Sequence, residues 1–203
     1  MEDTALLTDD EIVALCAADG RPWPLSLMTV DPTTEELTRA GIRGMRSLLV
    51  RRLASGNADK PGVRPHEMIL RDISAFLDAT ERVGAYIAPA SDHSVLGGAA
   101  VTAARAEDGW VLDTSTAAGV HALRTATADE AANAVLALAE SAYSGALFDA
   151  AEADHDWVCV IRFGDGAANT IALSSGSVSG SVNGSAVTAW DPVFVRGLFP
   201  TAW

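Results

Sequence analysis

The sequence lacks most of the residue patterns that mark a catalytic, metal-binding or disulfide-linked protein. Its 203 residues include two cysteines, Cys16 and Cys159, which stand far apart in apolar stretches. Without a CxxC spacing they predict neither a zinc site nor a disulfide framework, and we expect both to be buried and reduced. Lysine occurs once, at Lys60, so every other basic residue is arginine. Together with abundant alanine, this bias is typical of a GC-rich genome such as that of an actinobacterium.

Positive charge and long apolar runs are also scarce. The 14 basic residues stand against 27 acidic ones, a net charge of −13 at pH 7. Such a charge repels phosphate backbones, which argues against nucleic-acid binding. No apolar run reaches the roughly 18 residues that a membrane span needs. The N-terminal MEDTALLTDDE lacks the basic and apolar regions of a signal peptide, so we expect a cytoplasmic protein.

Apolar residues, by contrast, are frequent enough to build a core, since they make up 49% of the chain. The length suits a single domain that spans residues 1–203. Helical periodicity prevails over residues 1–90, whereas residues 91–203 read as strands, a helix and further strands. We therefore predict an α+β fold in which an antiparallel β-sheet is flanked by helices, with a helical N-terminal segment.

Helix starts are marked mainly by capping boxes, in which a hydroxyl residue precedes a glutamate by three positions. Pro65 predicts the start of another helix, because proline favours the first turn. Asp191 followed by Pro192 predicts the N-cap of a last short helix. The three boxes are Thr8 with Glu11, Thr33 with Glu36, and Thr127 with Glu130.

Strand-like alternation begins after residue 89. Two strand blocks begin alike, as DGWVLD and HDWVCV, and each precedes a helix, which suggests an internal pseudo-twofold repeat. The predicted strands cover residues 95–104, 109–114, 119–124, 157–163 and 169–173.

The stretch SGSVSGSVNGSAVTAW, residues 175–190, allows several interpretations. It has neither the central serine of G-x-S-x-G nor a lysine-containing phosphate loop, which excludes a nucleophile elbow and a nucleotide site. Asn183 and Gly184 both tolerate positive φ, as a type I′ turn requires, so we predict a β-hairpin. An alternating strand with small side chains on one face also offers an edge to a partner. The candidate partner-binding residues here are Val178, Val182, Val187 and Trp190.

The polar loops predict no catalytic site. Residues 91–94, SDHS, contain all the residue types of a serine triad, but a triad is assembled in space and not along a loop. Asp154, His155 and Asp156 are too few and too adjacent to hold a metal ion alone. We therefore expect no enzyme activity, no metal and no cofactor. A deep pocket that gathers His93 or His121 with carboxylates is the observation that would overturn this expectation.

Arginines are concentrated in the second predicted helix, at positions 39, 43, 46, 51 and 52. A solvated helix face explains them, and a docking face for an acidic partner, with Arg46 and Arg51 as candidates, is a further interpretation. One alternative is a winged-helix DNA-binding regulator with a sensing domain, whose wing is the strand pair near residues 95–114, although acidic residues share the region. Another is an acidic inhibitor or immunity-type protein that binds a basic toxin.

Several segments of the first 90 residues carry a family resemblance: DDEIVALCAADG and WPLSL, then TTEELTRAGIRGMRSLLVRRL, VRPHEMILRDISAFLDA and VGAYIA. In this order they resemble the EspG family of actinobacterial type VII (ESX) secretion chaperones. The later GWVLDTSTAAGVHALRT, followed by an alanine-rich helix, is similar to that family's succession of strand and helix. The resemblance implies a cytosolic, non-enzymatic chaperone that holds a helical PE–PPE heterodimer before export. It implies a protein partner, and neither nucleic acid nor membrane.

Overall fold

A nine-stranded antiparallel β-sheet organises the computed structural model, which describes residues 5–56, 63–147, 156–164 and 168–201. The sheet confirms the predicted α+β class. Its order is β1-β7-β6-β5-β4-β8-β9-β10-β11, and β2 pairs separately with β3. The strands are β1 (Ala5–Thr8), β2 (Ala54–Gly56), β3 (Val63–Pro65), β4 (Arg82–Pro89), β5 (Ala100–Ala106), β6 (Gly109–Ser115), β7 (Val120–Ala126), β8 (Trp157–Phe163), β9 (Thr170–Ser174), β10 (Ser177–Val182) and β11 (Ser185–Ala186).

Helices cover both faces of the sheet, and strand residues alternate between them. On β6, Trp110 and Leu112 join the core beneath α4 and α5, whereas Val111 joins the core beneath α1 and α3. The second helix, α2, packs on α1. No described helix is long and apolar enough to cross a membrane. The helices are α1 (Asp9–Asp19), α2 (Thr34–Val50), α3 (Glu67–Asp78), α4 (Ala128–Tyr143) and α5 (Pro192–Gly197).

The topology contains a twofold repeat. The meander β4 to β7 is followed by α4, and the meander β8 to β11 is followed by α5. The first strands of the two meanders, β4 and β8, pair antiparallel in the middle of the sheet. The sequence cue for this repeat was wrong, however. DGWVLD lies on β6 and HDWVCV on β8, whereas the topological counterpart of β8 is β4.

The caps confirm four predicted helix starts. Both boxes at Thr8 and Thr127 are complete, and Asp191 accepts bonds from the first turn of α5. At α2 only half of the box forms. Thr33 accepts from the Glu36 backbone N–H, while the Glu36 carboxylate binds Arg43.

Other boundaries differ from the prediction. Helix α3 begins at Glu67, because Pro65 belongs to β3 and is paired with Ala54. The strand predicted over residues 95–104 begins only at Ala100. The segment predicted as helical, 1–90, also contains the edge strand β1 and the central strand β4, since tertiary pairing overrides local periodicity there.

Some residues that the sequence analysis discussed lie outside the part of the chain that the structure describes. They are Lys60, Asp154, His155 and the turn at residues 165–166.

The serine-glycine stretch forms two consecutive tight turns. Asn183 and Gly184 have φ values of 50° and 79° between β10 and β11, which confirms the predicted hairpin. An earlier turn at Ser175 and Gly176, with φ values of 42° and 80°, joins β9 to β10. This second turn was not predicted, because serine seldom adopts positive φ.

Candidate functional site

The structure places the predicted partner-binding residues in two separate groups. Val178, Val182, Val187 and Trp190 come together near the β10 edge of the sheet, where each is half-buried against the core beneath α4. Arg51 lies at the opposite edge, where it donates to the Leu6 carbonyl of β1 at 2.8 Å. About seven strand spacings of about 4.8 Å, roughly 35 Å, separate these edges. The six residues therefore do not form one contiguous site.

The β10–β11 edge is short and uncharged. Val178 and Val182 point to the core, whereas Ser177 and Ser179 on the other face are exposed. Gly180 has φ 144°, and a Cβ there would lie 2.1 Å from the Thr170 carbonyl oxygen, so only glycine fits this kink. No charged residue occurs in the sequence between positions 165 and 191. The edge thus lacks the charges with which sheets usually prevent pairing with another chain.

Helix α5 follows β11 in the chain and adds an exposed apolar pair, one member of which, Phe194, has its ring 5.7 Å from that of Phe163 on β8. Asp191 Oδ1 accepts from the N–H groups of Val193 and Phe194, both at 3.0 Å, which fixes the start of the helix. Val195 is fully buried and anchors the helix, so that the preceding residues face outward. Val193 is 78% exposed, and Phe194 remains 37% exposed although its ring contacts the core. We call the β10–β11 hairpin with Val193 and Phe194 the C-terminal surface.

Sequence reasoning missed the apolar pair on α5. A six-residue helix is too short for its periodicity to show which side faces the core. One signal in the sequence could have identified this surface. Charged residues make up 20% of the chain, yet none occurs between positions 165 and 191, just before the helix.

At the β1 edge of the sheet and on the neighbouring helix α2, most arginines form ion pairs with carboxylates of the same chain. Arg43 binds Asp10 at 2.7 Å and Glu36 at 2.8 Å, and Arg51 binds the buried Glu11 at 2.6 Å. Arg46 is exposed and has no ion-pair partner among the described residues. Most of the arginine series therefore neutralises carboxylates of this chain.

The strand pair β5–β6 does not form a wing. Both strands lie inside the nine-stranded sheet, with β4 on one side and β7 on the other. A wing must project from its helices to reach a groove of DNA. The winged-helix interpretation is therefore not supported by the arrangement of these strands.

A second apolar surface is a groove between α1, α2 and the loop over residues 21–32. Its lining includes Val13, Leu27 and Met45, and the exposed Leu37 and Ile42 stand at its rim. This groove lies on the side of the molecule away from the β10 edge, over the α1 half of the fold.

His121 lies in a buried cluster with two carboxylates, at the border of a cavity. Its Nε2 is 2.8 Å from Asp9 Oδ1 and its Nδ1 is 3.0 Å from Asp113 Oδ2. Burial alone would lower the pKa of His121, but the hydrogen bonds to Asp113 and Asp9 outweigh it and raise the pKa to about 9. Burial would likewise raise the pKa of Asp9, which the bonds to His121 and Thr29 hold below its usual range.

His121 and Asp113 both line a cavity, which is the arrangement that the sequence analysis named as evidence for an enzyme. The hydrogen bonds of His121, however, are those of a clamp and not of a catalytic dyad. A protonated imidazole donates both N–H groups, and here both are directed to carboxylates. It therefore has no free nitrogen to take a proton from a substrate. The cluster instead joins β6, β7 and the first residue of α1.

Comparisons with known proteins identify a likeness of fold. No model of a protein family matches the sequence, and no curated protein matches it. The structure is similar to that of EspG5, a type VII secretion system chaperone of Mycobacterium tuberculosis, solved in complex with a PE25–PPE41 dimer. The identity is 12% and the TM-score 0.50, over 98% of this chain and 95% of that chain. The chain therefore shares the fold of a type VII secretion chaperone.

Proposed function

We propose that this protein is a non-enzymatic, cytoplasmic chaperone or adaptor that binds a helical secreted protein, of the PE–PPE kind, for type VII secretion. The fold likeness to EspG5 over nearly the whole of both chains supports this function. Fold alone does not specify a partner, so the proposal also needs a surface. The observation that carries it is the exposed apolar pair on α5, the helix that follows the uncharged sheet edge in the chain.

The C-terminal surface has the properties that a helical partner requires. An amphipathic helix binds by burying a stripe of apolar side chains in an apolar groove or step. Full burial of a valine or phenylalanine is worth about 1.5–3 kcal/mol. Val193 and Phe194 stand on a helix that the buried Val195 anchors in the core, which limits the conformational entropy lost on binding.

The residues Val178, Val182, Val187 and Trp190 would act beneath this surface. They are half-buried against the core, and the Trp190 ring lies 6.2 Å from the Tyr143 ring. In the proposed complex they hold the hairpin in place, so that its uncharged edge faces the partner. Arg46, exposed on α2, would lie outside this contact.

A purification of the tagged full chain from its native host tests the proposal. We expect a helical pair of the PE–PPE kind to be recovered in equimolar amounts and identified by mass spectrometry. The purified pair is then titrated with wild type and with Val193→Asp in a calorimeter. We expect the substitution to weaken binding about tenfold or more, because it buries a charge against an apolar helix.

Val50→Asp is the matched control, since Val50 is 83% exposed at the end of α2. We expect its affinity for the pair to equal that of wild type. Three outcomes contradict the proposal: no helical pair is recovered, a basic toxin is recovered in its place, or Val50→Asp weakens binding as much as Val193→Asp. Loss of binding only in Ile42→Asp would place the partner in the α1–α2 groove and exclude the C-terminal surface.

A further inference from the structure

A polar cavity of about 350 Å³ lies on the sheet face that carries α1 and α3. The floor of the cavity consists of two parallel rows of residues, and in each row the residues are paired across neighbouring strands. Loops around Leu25 and Leu96 form its walls. The first row is Arg162, Gly84, Thr102 and Asp113, and the second is Tyr86, Ala100, Ser115 and His121.

Small residues at the centre of the floor leave room for a ligand. Gly84 stands between Arg162 and Thr102 in the first row, and Ala100 stands between Tyr86 and Ser115 in the second. A Cβ at Gly84 would lie only 3.1 Å from Thr102 Oγ1, so even a methyl group there would crowd the floor. The hydroxyls of Thr102 and Ser115 add polar groups beside this space.

Two arginines in the cavity have no carboxylate partner among the described residues. Arg82 and Arg162 lie on the same face of adjacent strands, and their Nε atoms are buried without a hydrogen-bond acceptor. Each donates one other nitrogen to a carbonyl, Arg82 to Phe76 at 2.7 Å and Arg162 to His93 at 3.0 Å. A buried donor without an acceptor costs about 1–3 kcal/mol, so a ligand that accepts both Nε–H groups is favoured.

Arginines such as Arg82 and Arg162, which have no carboxylate partner among the described residues, are unexpected in a chain with 27 acidic residues. Burial holds the pKa of Arg82 below its ordinary value, as expected for a cation that no anion compensates. The aromatic faces of Phe76 and Tyr86, each 5.4 Å from a guanidinium carbon, hold the two arginines in position. The arginines that do pair with carboxylates are Arg21, Arg39, Arg43, Arg51, Arg71, Arg105, Arg124 and Arg196.

Basic groups outnumber acidic ones in the lining of the cavity. Arg82, Arg162 and His121 line it together with Asp113, while Asp9 binds His121 from α1 and the charge of Asp92 reaches Tyr86. We propose that the cavity binds a small organic monoanion, whose single carboxylate is held between Arg82 and Arg162. Guanidinium groups match the planar geometry of a carboxylate. The Tyr86 ring and the leucines of the walls then face an apolar body. This site is independent of the proposed chaperone surface.

Titration of the wild-type protein with benzoate tests the site without any substitution. Arginine Nε–H signals are followed by NMR at constant ionic strength, with acetate and inorganic phosphate as further probes. We expect the Arg82 and Arg162 signals to shift in a saturable way with benzoate, more weakly with acetate, and not with phosphate. A shift of the Arg46 signal equal to theirs contradicts the proposal, as does the absence of saturable shifts with both carboxylates.

Substitutions give a second, quantitative measurement. Arg162→Met and Arg82→Met should each weaken benzoate binding about tenfold or more in a calorimeter, while Arg46→Met removes the same charge from an exposed position and should have no effect. Circular dichroism confirms folding of each variant, and if either cavity variant unfolds, the wild-type NMR shifts decide. Tighter binding of phosphate than of benzoate, or equal losses in all three variants, would overturn the assignment.

Discussion

At the scale of single residues, His121 couples the stability of the protein to pH. Its pKa is raised from 6.5 to about 9 in the folded state. A raised pKa means that the protonated form stabilises the fold, so this contribution is complete below pH 6.5 and is lost as the pH rises towards 9. At about 1.4 kcal/mol per pKa unit, the loss is roughly 3 kcal/mol. Urea unfolding of wild type between these pH values should show this decrease in the free energy of unfolding.

A control at the same scale is His66→Gln, because His66 is exposed at the start of α3 and its side chain makes no cap bond. This variant should lose as much stability as wild type over the same pH range. NMR titration of the imidazole signals measures the pKa of His121 directly. A value near 6.5, or an equal loss of stability in His121→Gln, would show that another group causes the decrease.

At the scale of elements, the crossing of α1 and α2 depends on two glycines with different surroundings. A Cβ at Gly44 would lie 1.9 Å from the backbone oxygen of Asp10, whereas a Cβ at Gly41 would lie 3.8 Å from Val13 Cγ1. Gly44→Ala must therefore separate the helices and should destabilise the protein by about 3 kcal/mol. Gly41→Ala keeps ordinary contact and should stabilise it by up to about 1 kcal/mol through helix propensity.

Urea denaturation of the two variants measures this difference, and each is the other's control. They carry the same substitution on the same helix, one turn apart, so effects on the unfolded chain cancel. Equal changes in the free energy of unfolding would contradict the close crossing at Gly44.

At the scale of the whole molecule, charge distribution argues against a nucleic-acid partner. The net charge is −13, and Arg43 and Arg51 on α2 are neutralised by carboxylates of α1. We therefore expect no saturable binding of duplex DNA at low ionic strength, measured by fluorescence anisotropy. Binding that weakens steeply with added salt would contradict this expectation. The dependence of affinity on salt concentration measures how many counterions the DNA releases when basic residues bind its phosphates.

Local patterns made several parts of the molecule predictable. Thr8 and Thr127 begin helices because their hydroxyls reach a backbone N–H three residues ahead. Asn183 and Gly184 form a turn because both tolerate positive φ. These interactions span only a few residues, so no knowledge of distant contacts is needed. The resemblance to the EspG family likewise anticipated the fold that the structural comparison shows.

Contacts between distant residues could not be predicted in this way. Arg82 and Arg162 are 80 positions apart and meet only because β4 and β8 are neighbours in the sheet. His121 and Asp9 are separated by 112 positions and meet because β1 pairs with β7. Neither strand pairing leaves a trace in local periodicity.

The sequence by itself determined the α+β class, the caps, the Asn183–Gly184 turn and the acidic surface, since composition and short-range hydrogen bonds decide these features. Tertiary structure alone decided which apolar residues remain exposed. Val193 and Val195 are the same residue type on one short helix, yet one is 78% exposed and the other fully buried. The difference arises because α5 packs with one side against α4 and against Phe163 of β8. The order of the strands in the sheet determines where β8 lies, and so which side of α5 is buried.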